Sequence, residues 1–371
     1  MSKVHATVCP VYTLSIAHIG YELYLVGNIL RFLKREKNLL QILTGPRQVG
    51  KSSAAFQVGE KWRGEVRYAS ADTPIPPGAE WIRHQWQLAR LVSGENPLLV
   101  QKGLAELLTG RFFLHRLGHW QFSQMSEAFG LGLEEWLYFG GYPGAVSFIE
   151  SEDEWKAYVR DSLIETVLSK DVLQMQSIAK PALLRHLFML STAYPAHILS
   201  YNKMLGQLTD AGNTTTLSHY VQLLHSAFLL SGLELYKIGQ RPKRGSSPKL
   251  VLWNNALVNA VSGKGFEASK NNPEEWGRLV DNAVGAALLN QLQGLPFELY
   301  YWRQKSSEVD YVLHTSESTW AIEVKSSRMK NPHGMRRFLE LYPKAKPFII
   351  GGSGMPLEEF FRTPLPEQLE S

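Results

Sequence analysis

At 371 residues the chain is long enough for two or three domains, each with its own core, and 44% hydrophobic with 20% charged residues is the balance of a soluble globular protein. A net charge of +5 is mild for this length, so it admits an acidic partner without demanding one. The single cysteine, Cys9, excludes an internal disulfide framework and a cysteine-rich zinc site, and it fits a cytoplasmic protein.

Val11 to Leu30 is apolar enough to be weighed as a membrane span. His18, Glu22 and Asn28 interrupt it, however, and no basic region precedes a small-residue cleavage site. The segment reads as buried helix or strand, with residues 1–10 loose and no membrane partner. Leu39 to Leu43 then reads as a short buried strand and Lys51 to Trp62 as a helix. Between them Gly45-Pro46-Arg47-Gln48-Val49-Gly50-Lys51-Ser52 is a full match to the phosphate-binding loop pattern. The chemistry needs that spacing because glycines let backbone N–H groups turn inward around phosphate oxygens, with the helix N-terminus aimed at the same anion. Lys51 would reach the β- and γ-phosphates of ATP, and Ser52 would offer its hydroxyl to Mg²⁺.

Val66 to Asp72 is expected as a second strand, residues 73–78 as a Pro-rich loop and Trp81 to Val92 as a helix, which together begin a parallel nucleotide-binding sheet. The next strand should carry the acids that hold Mg²⁺ and polarise the attacking water. Its expected place is Leu98-Leu99-Val100, yet the chain continues directly into Gln101-Lys102-Gly103-Leu104, and Asp72 is the only aspartate in the first 150 residues. Nucleotide binding is therefore expected with weak or absent hydrolysis.

Gly103 to Trp120, with Arg111, His115, Arg116 and His119 among aromatic residues, reads as a half-buried connection with a solvated basic face, or as a phosphate or nucleic-acid contact. Phe139 to Gly144 is a turn, and Trp155 to Leu173 a long amphipathic helix. Helices follow over 181–206 and 214–232, the second N-capped by Asn213. Two strand-like runs, Leu233 to Ile238 and Lys249 to Trp253, are joined by a loop holding Arg241, Lys243 and Arg244. Helices followed by a hairpin with a basic tip describe a winged helix, whose tip would contact a DNA backbone or simply be solvated.

The last third carries a second chemical signal. Glu298 to Trp302, Glu308 to Leu313 and Trp320 to Lys325 read as a three-strand meander, followed by a helix from Pro332 to Leu341 and a strand from Pro347 to Ile350. Asp310 and Glu323 fall on adjacent strands and Lys325 on the same face as Glu323. Such a group can hold a divalent metal and activate water for a nuclease-like reaction, or it can be a partly buried ion cluster. Asp281, early in a helix from Arg278 to Leu292, is within reach of the site as a further metal ligand, or it is a first-turn residue favoured by the helix dipole.

Several of these segments together resemble a prokaryotic AAA-type ATPase family. They are the 45–52 loop, Gln101 to Leu104, Gly110 to Phe112, His119-Trp120, Phe139 to Pro143, Ser169 to Val172, the winged-helix segment, Trp302, Glu308-Val309-Asp310 and Glu323-Val324-Lys325. The resemblance implies a P-loop ATPase domain joined to a C-terminal domain of unknown function that itself resembles the restriction-endonuclease fold. The expected architecture is α/β: a truncated P-loop sheet over 1–120, a helical connection over 121–190, a winged helix over 191–265, an endonuclease-like domain over 266–352 and a tail. Two departures stand out. Relatives carry a strand ending in Asp-Glu and a sensor strand where Val100 abuts Gln101 here, as though roughly fifty residues were removed, so either the sheet is narrowed or the chain is a decayed relative. Relatives also have Glu in a Gly-x-Leu-x-Glu-Asn setting where this chain has Asp281, one methylene shorter.

Overall fold

The computed structural model describes residues 21–35, 39–64, 66, 69, 80–81, 84, 98–99, 112–172, 178–208, 212–237, 247–325, 333–365 and 369. They form a mixed α/β protein that divides into two compact units, Met1–Leu117 and Gly118–Ser371. Most of the 66–72 strand and the 81–92 helix, and all of Arg241, Lys243 and Arg244, lie outside the described residues.

In the first unit helix α1 (Leu25–Leu33) precedes strand β1 (Leu40–Thr44), helix α2 (Lys51–Lys61) and strands β2 (Leu98–Leu99) and β3 (Phe112–Arg116). The sheet order is β2-β1-β3 with both pairings parallel. Because β1 is central, Leu40, Ile42 and Leu43 are buried along with Gln41, which gives an apolar run rather than an alternating one. The expectation of a half-buried connection over 103–120 is corrected where it is described: Phe112–Arg116 is a strand pairing with all of Leu40–Thr44, while residues 103–111 lie outside the described residues. Its histidine faces inward, where His115 Nε2 lies 2.7 Å from Gln41 Oε1. Burial pulls the His115 pKa down to about 4, so it is neutral near pH 7 and carries no charge to a phosphate.

The second unit begins with helices α3 (Phe122–Phe129), α4 (Leu133–Phe139) and α5 (Glu152–Ala157). The expected single helix over 155–173 instead leaves α5 through wider π-type turns at Tyr158–Ile164 and Val167–Val172. Helices α6 (Pro181–Thr192), α7 (Tyr201–Gln207) and α8 (Thr214–Ser226) follow, α8 starting where Asn213 Oδ1 accepts the Thr216 N–H at 2.9 Å. Strands β4 (Leu230–Leu235) and β5 (Lys249–Leu252) form an antiparallel hairpin. Both faces of β5 are buried, as the unbroken apolar run Leu250 to Trp253 suits, so it is a core strand.

Helix α9 (Pro273–Gln291) has a strong start signal: Asn272 Oδ1 accepts the Glu275 N–H at 3.3 Å, proline occupies the first position, and Glu274 and Glu275 lie in the first turn. It therefore begins earlier than Arg278. Strands β6 (Glu298–Gln304), β7 (Ser307–His314) and β8 (Thr319–Lys325) form the meander, followed by helix α10 (His333–Leu341) and strand β9 (Lys346–Gly351). The six-stranded sheet runs β5-β4-β6-β7-β8-β9, with β4 parallel to β6 and β9 parallel to β8. One hydrophobic cluster joins α6, α8, β4 and β5 through residues such as Leu187, Phe188, Leu224, Leu230 and Leu252. Another lies under α10, where Phe338 meets Trp302 and Val309. Beyond residue 352 the chain is not a bare tail: helix α11 (Leu357–Arg362) buries Phe360 and Phe361, the latter against Trp136 at 4.9 Å.

Buried asparagines stitch α9 to the end of β5. Asn282 Oδ1 accepts the Leu252 N–H at 2.9 Å, while its Nδ2 donates to Leu252 O at 3.0 Å and Asn255 Oδ1 at 2.8 Å. Asn290 Nδ2 donates to Trp253 O at 3.2 Å, and its Oδ1 accepts the His119 N–H at 2.8 Å. Asn282→Ala strands the Leu252 backbone groups and should cost about 2 kcal/mol in urea unfolding. The exposed Asn271→Ala control should stay within about 0.5 kcal/mol.

Candidate functional site

In the first unit β1 ends at Thr44 and the chain turns through residues 45–50 into α2. Gly45 has φ 154°, and a Cβ there would lie 2.1 Å from the Leu117 carbonyl oxygen, so β3 approaches too closely for any side chain. Gly50 has φ 87° and Gln48 φ 57°, so two left-handed residues reverse the loop. Pro46 and Val49 are buried and anchor it, while Arg47, Gln48 and Ser52 are exposed. Lys51, at the first position of α2, turns back to donate to Gly45 O at 3.1 Å and to Pro46 O. The helix N-terminus thus opens beside a loop held in shape by its own lysine. Among parallel strands a ligand sits at the carboxyl ends, and here the neighbours of β1 end without acids, β2 running into Val100-Gln101 and β3 ending at Arg116-Leu117.

In the second unit the predicted residues sit near one another, but in two groups. Asp281 is the ninth residue of α9, in its middle, so it is not the first-turn residue expected from a start at Arg278, and dipole stabilisation does not apply. Tyr311 of β7 donates to the Asp281 backbone carbonyl at 2.8 Å, packing where a Cβ on Gly285 would lie 2.5 Å from its hydroxyl. Tyr311 stands opposite Ile322, which places Asp310 and Glu323 one step further along the same pair of strands. Asp310 Oδ2 accepts the Val324 N–H at 2.9 Å, and Lys325 Nζ pairs with Glu323 Oε1.

The residue that sequence reasoning missed is Lys249, which opens β5 and has no exposed surface. Its Nζ lies 3.4 Å from Asp281 Oδ2, 3.6 Å from Asp310 Oδ1 and 3.2 Å from Asp310 O. The face of the Tyr311 ring lies 4.4 Å away. Burial pulls its pKa down, but the carboxylates of Asp281, Asp310 and Glu308 overbalance that and hold it above the usual value. Burial raises the Asp281 carboxyl to about 6 against the opposing pull of Lys249. Burial, followed by the nearby Asp281 charge, pushes the Tyr311 hydroxyl well above its ordinary value.

Among the described residues no group of three or more His, Cys, Asp or Glu side chains is disposed to hold a metal ion. The acids divide instead, Asp281 and Asp310 around Lys249 and Glu323 with Lys325. Asp281 Oδ1 and Glu323 Oε2, one in each group, are buried without a hydrogen-bond partner.

The chain is thus a mixed α/β protein with a glycine-shaped strand-to-helix loop in one unit and a lysine-centred acidic cluster in the other. Residues 131–268 match a domain of unknown function, DUF8612, and residues 276–365 match another, DUF4143. The second match covers Asp281, Asp310, Glu323 and Lys325, in keeping with the C-terminal domain of unknown function that the resemblance implies. Uncharacterized proteins of Mycobacterium bovis and Mycobacterium tuberculosis are each 28% identical over 193 residues, covering 50% of this chain. The chain spans only 41% of the length of either relative. No solved structure matches. No described helix is long and apolar enough to cross a membrane.

The Asp281 shift gives a signed pH dependence. The folded state holds this proton more tightly than the unfolded chain, so the stability it contributes is full below about pH 3.8 and lost as pH rises through about 6. The unfolding free energy of Asp281→Asn minus that of wild type should therefore rise by about 2 kcal/mol from about pH 4 to 7. Parallel denaturant melts check this, and a flat difference would contradict the shift.

Proposed function

We propose that the chain is a nucleotide-binding protein of the AAA-type ATPase class, taking ATP with Mg²⁺ at the 45–52 loop and hydrolysing it weakly or not at all. The observation that carries this reading is the loop itself, in which Gly45 and Gly50 turn the backbone with positive φ and deliver the chain into an eleven-residue helix headed by Lys51 and Ser52. Gly45, Pro46, Arg47, Gln48, Val49 and Gly50 supply backbone N–H groups around the phosphates, proline excepted, which has none. Lys51 exchanges its loop carbonyls for phosphate oxygens, and Ser52 contributes a ligand to Mg²⁺. Weak hydrolysis follows from strands flanking β1 that carry no acid at their ends to orient a water. Fluorescent-nucleotide titration should show Mg²⁺-dependent binding that Lys51→Ala weakens by at least about tenfold. Wild type without measurable affinity for ATP or ADP would refute the proposal.

A second reading attaches to the other unit, favoured by the unpartnered buried oxygens of Asp281 and Glu323. In it the 266–352 region resembles a restriction endonuclease, with Asp310, Glu323 and Asp281 holding Mg²⁺ and Lys325 steering the water. The bound metal would stabilise charge developing on a phosphodiester. The helix order α6, α7, α8 followed by the β4–β5 hairpin suits a winged helix, and with Arg241, Lys243 and Arg244 in the hairpin loop it makes DNA the proposed partner. Mg²⁺-dependent cutting of single- or double-stranded DNA should fall to background in Glu323→Ala. Equal background cutting by both proteins removes this reading and leaves nucleotide binding untouched.

A further inference from the structure

The acidic cluster has an unusual occupant. Lys249 does not belong to the β6–β7–β8 meander that carries Asp310 and Glu323, but enters from the β4–β5 hairpin on the far side of β6 in the sheet. Its backbone is fixed there by pairing with Leu233 and by a bridge to Ile198. The ammonium faces two carboxylates, a backbone carbonyl and an aromatic face, at 3.4, 3.6, 3.2 and 4.4 Å. Hard-oxygen donors converging from different elements are what a divalent cation takes, and an ammonium with three donors satisfies the same set at longer range. Asp281 Oδ1 and Glu323 Oε2, buried and without hydrogen-bond partners, remain as donors that the lysine does not reach.

We propose that Lys249 is the resident cation of this site: its ammonium occupies the position a divalent metal would take between Asp281 and Asp310, and the site excludes divalent metal while the β4–β5 hairpin stays in place. The electrostatics require one occupant or the other. Asp281 and Asp310 each hold a carboxylate oxygen within 3.6 Å of the same ammonium, which offsets their mutual repulsion, and two cations cannot share that space. Lys325 does not substitute, because it is paired with Glu323. Metal entry is thereby tied to the hairpin, since Lys249 leaves only if the start of β5 shifts. The proposal concerns the same carboxylates as the nuclease reading and opposes it in the resting chain, where Lys249 and not Mg²⁺ sits between Asp281 and Asp310; it does not depend on whether nucleotide binds the 45–52 loop.

Mn²⁺ binding by the nucleotide-free full chain tests it, read by calorimetry and thermal unfolding. Wild type should show no site that depends on Asp310, so wild type and Asp310→Asn should give the same isotherm. Lys249→Met should melt several degrees lower in metal-free buffer, recover most of that loss with Mn²⁺, and bind Mn²⁺ at least about tenfold more tightly than wild type. Lys249→Met/Asp310→Asn should lose the recovery, and Lys249→Arg, which keeps the charge, should behave as wild type. An Mn²⁺-indifferent Lys249→Met, or recovery that survives in the double variant, overturns the assignment. Should Lys249→Met fail to fold with and without Mn²⁺, wild type still decides: an isotherm that loses a site in Asp310→Asn overturns the proposal, and matching isotherms uphold it.

Discussion

A strand that ends inside a core leaves backbone donors and acceptors that no ladder satisfies, and the second unit depends on how that is solved at the end of β5. Asn282 closes both groups of Leu252 from the side of α9, and Asn290 takes the carbonyl of Trp253 one turn pair further along the same helix. These bonds fix the helix against the strand in both rotation and register. Asp281 precedes Asn282, and Lys249 opens the strand that Leu252 closes, so the bonds that satisfy the backbone also set the charge cluster. A neutral amide network here positions an ionic one.

The two units deal with polar groups in opposite ways. Around the 45–52 loop the shape is steric: a carbonyl of β3's end leaves no room for a Cβ at residue 45, and the following lysine folds onto the loop's own oxygens. In the acidic cluster the shape is electrostatic, and removing one partner leaves an uncompensated buried charge, which costs several kcal/mol, typically about 3–5. The first arrangement is held by close backbone approach and by the loop's own lysine. The second already contains a cation.

Much of the first arrangement was legible in the sequence, because a strand, a glycine-bounded turn and a helix are each local. Asp310, Glu323 and Lys325 were legible for a similar reason, since two-residue alternation and short connections fix which strands pair. Lys249 was not. A lysine opening an apolar run reads as the solvated start of a strand, and only the unbroken run Leu250 to Trp253 signals that both faces are buried, the lysine's included. The start of α9 was written in Asn272-Pro273-Glu274-Glu275 but placed too late, which made a mid-helix aspartate look like a dipole residue. Strand β3 was hidden by its own arginine and histidine, whose usual surface preference argued against a paired strand. The misses at Lys249 and at β3 have one origin: polar residue type suggested exposure where tertiary packing supplied a partner.

The six-stranded sheet is widest in its hydrogen bonding toward β9 and narrowest in its interior. Six residue pairs join β6 to β7, whereas among the described residues β4 meets β6 through Glu234 opposite Tyr300 and Leu235 opposite Tyr301, with one added bond from the Tyr236 N–H to Tyr301 O at 2.7 Å. A sheet with its shortest ladder inside rather than at its rim opens along that line before it frays at its ends. Across this seam the hairpin is tied to the meander more by side chains than by ladder, through Lys249 to Asp310 and through the Tyr301 hydroxyl to the Ser247 carbonyl.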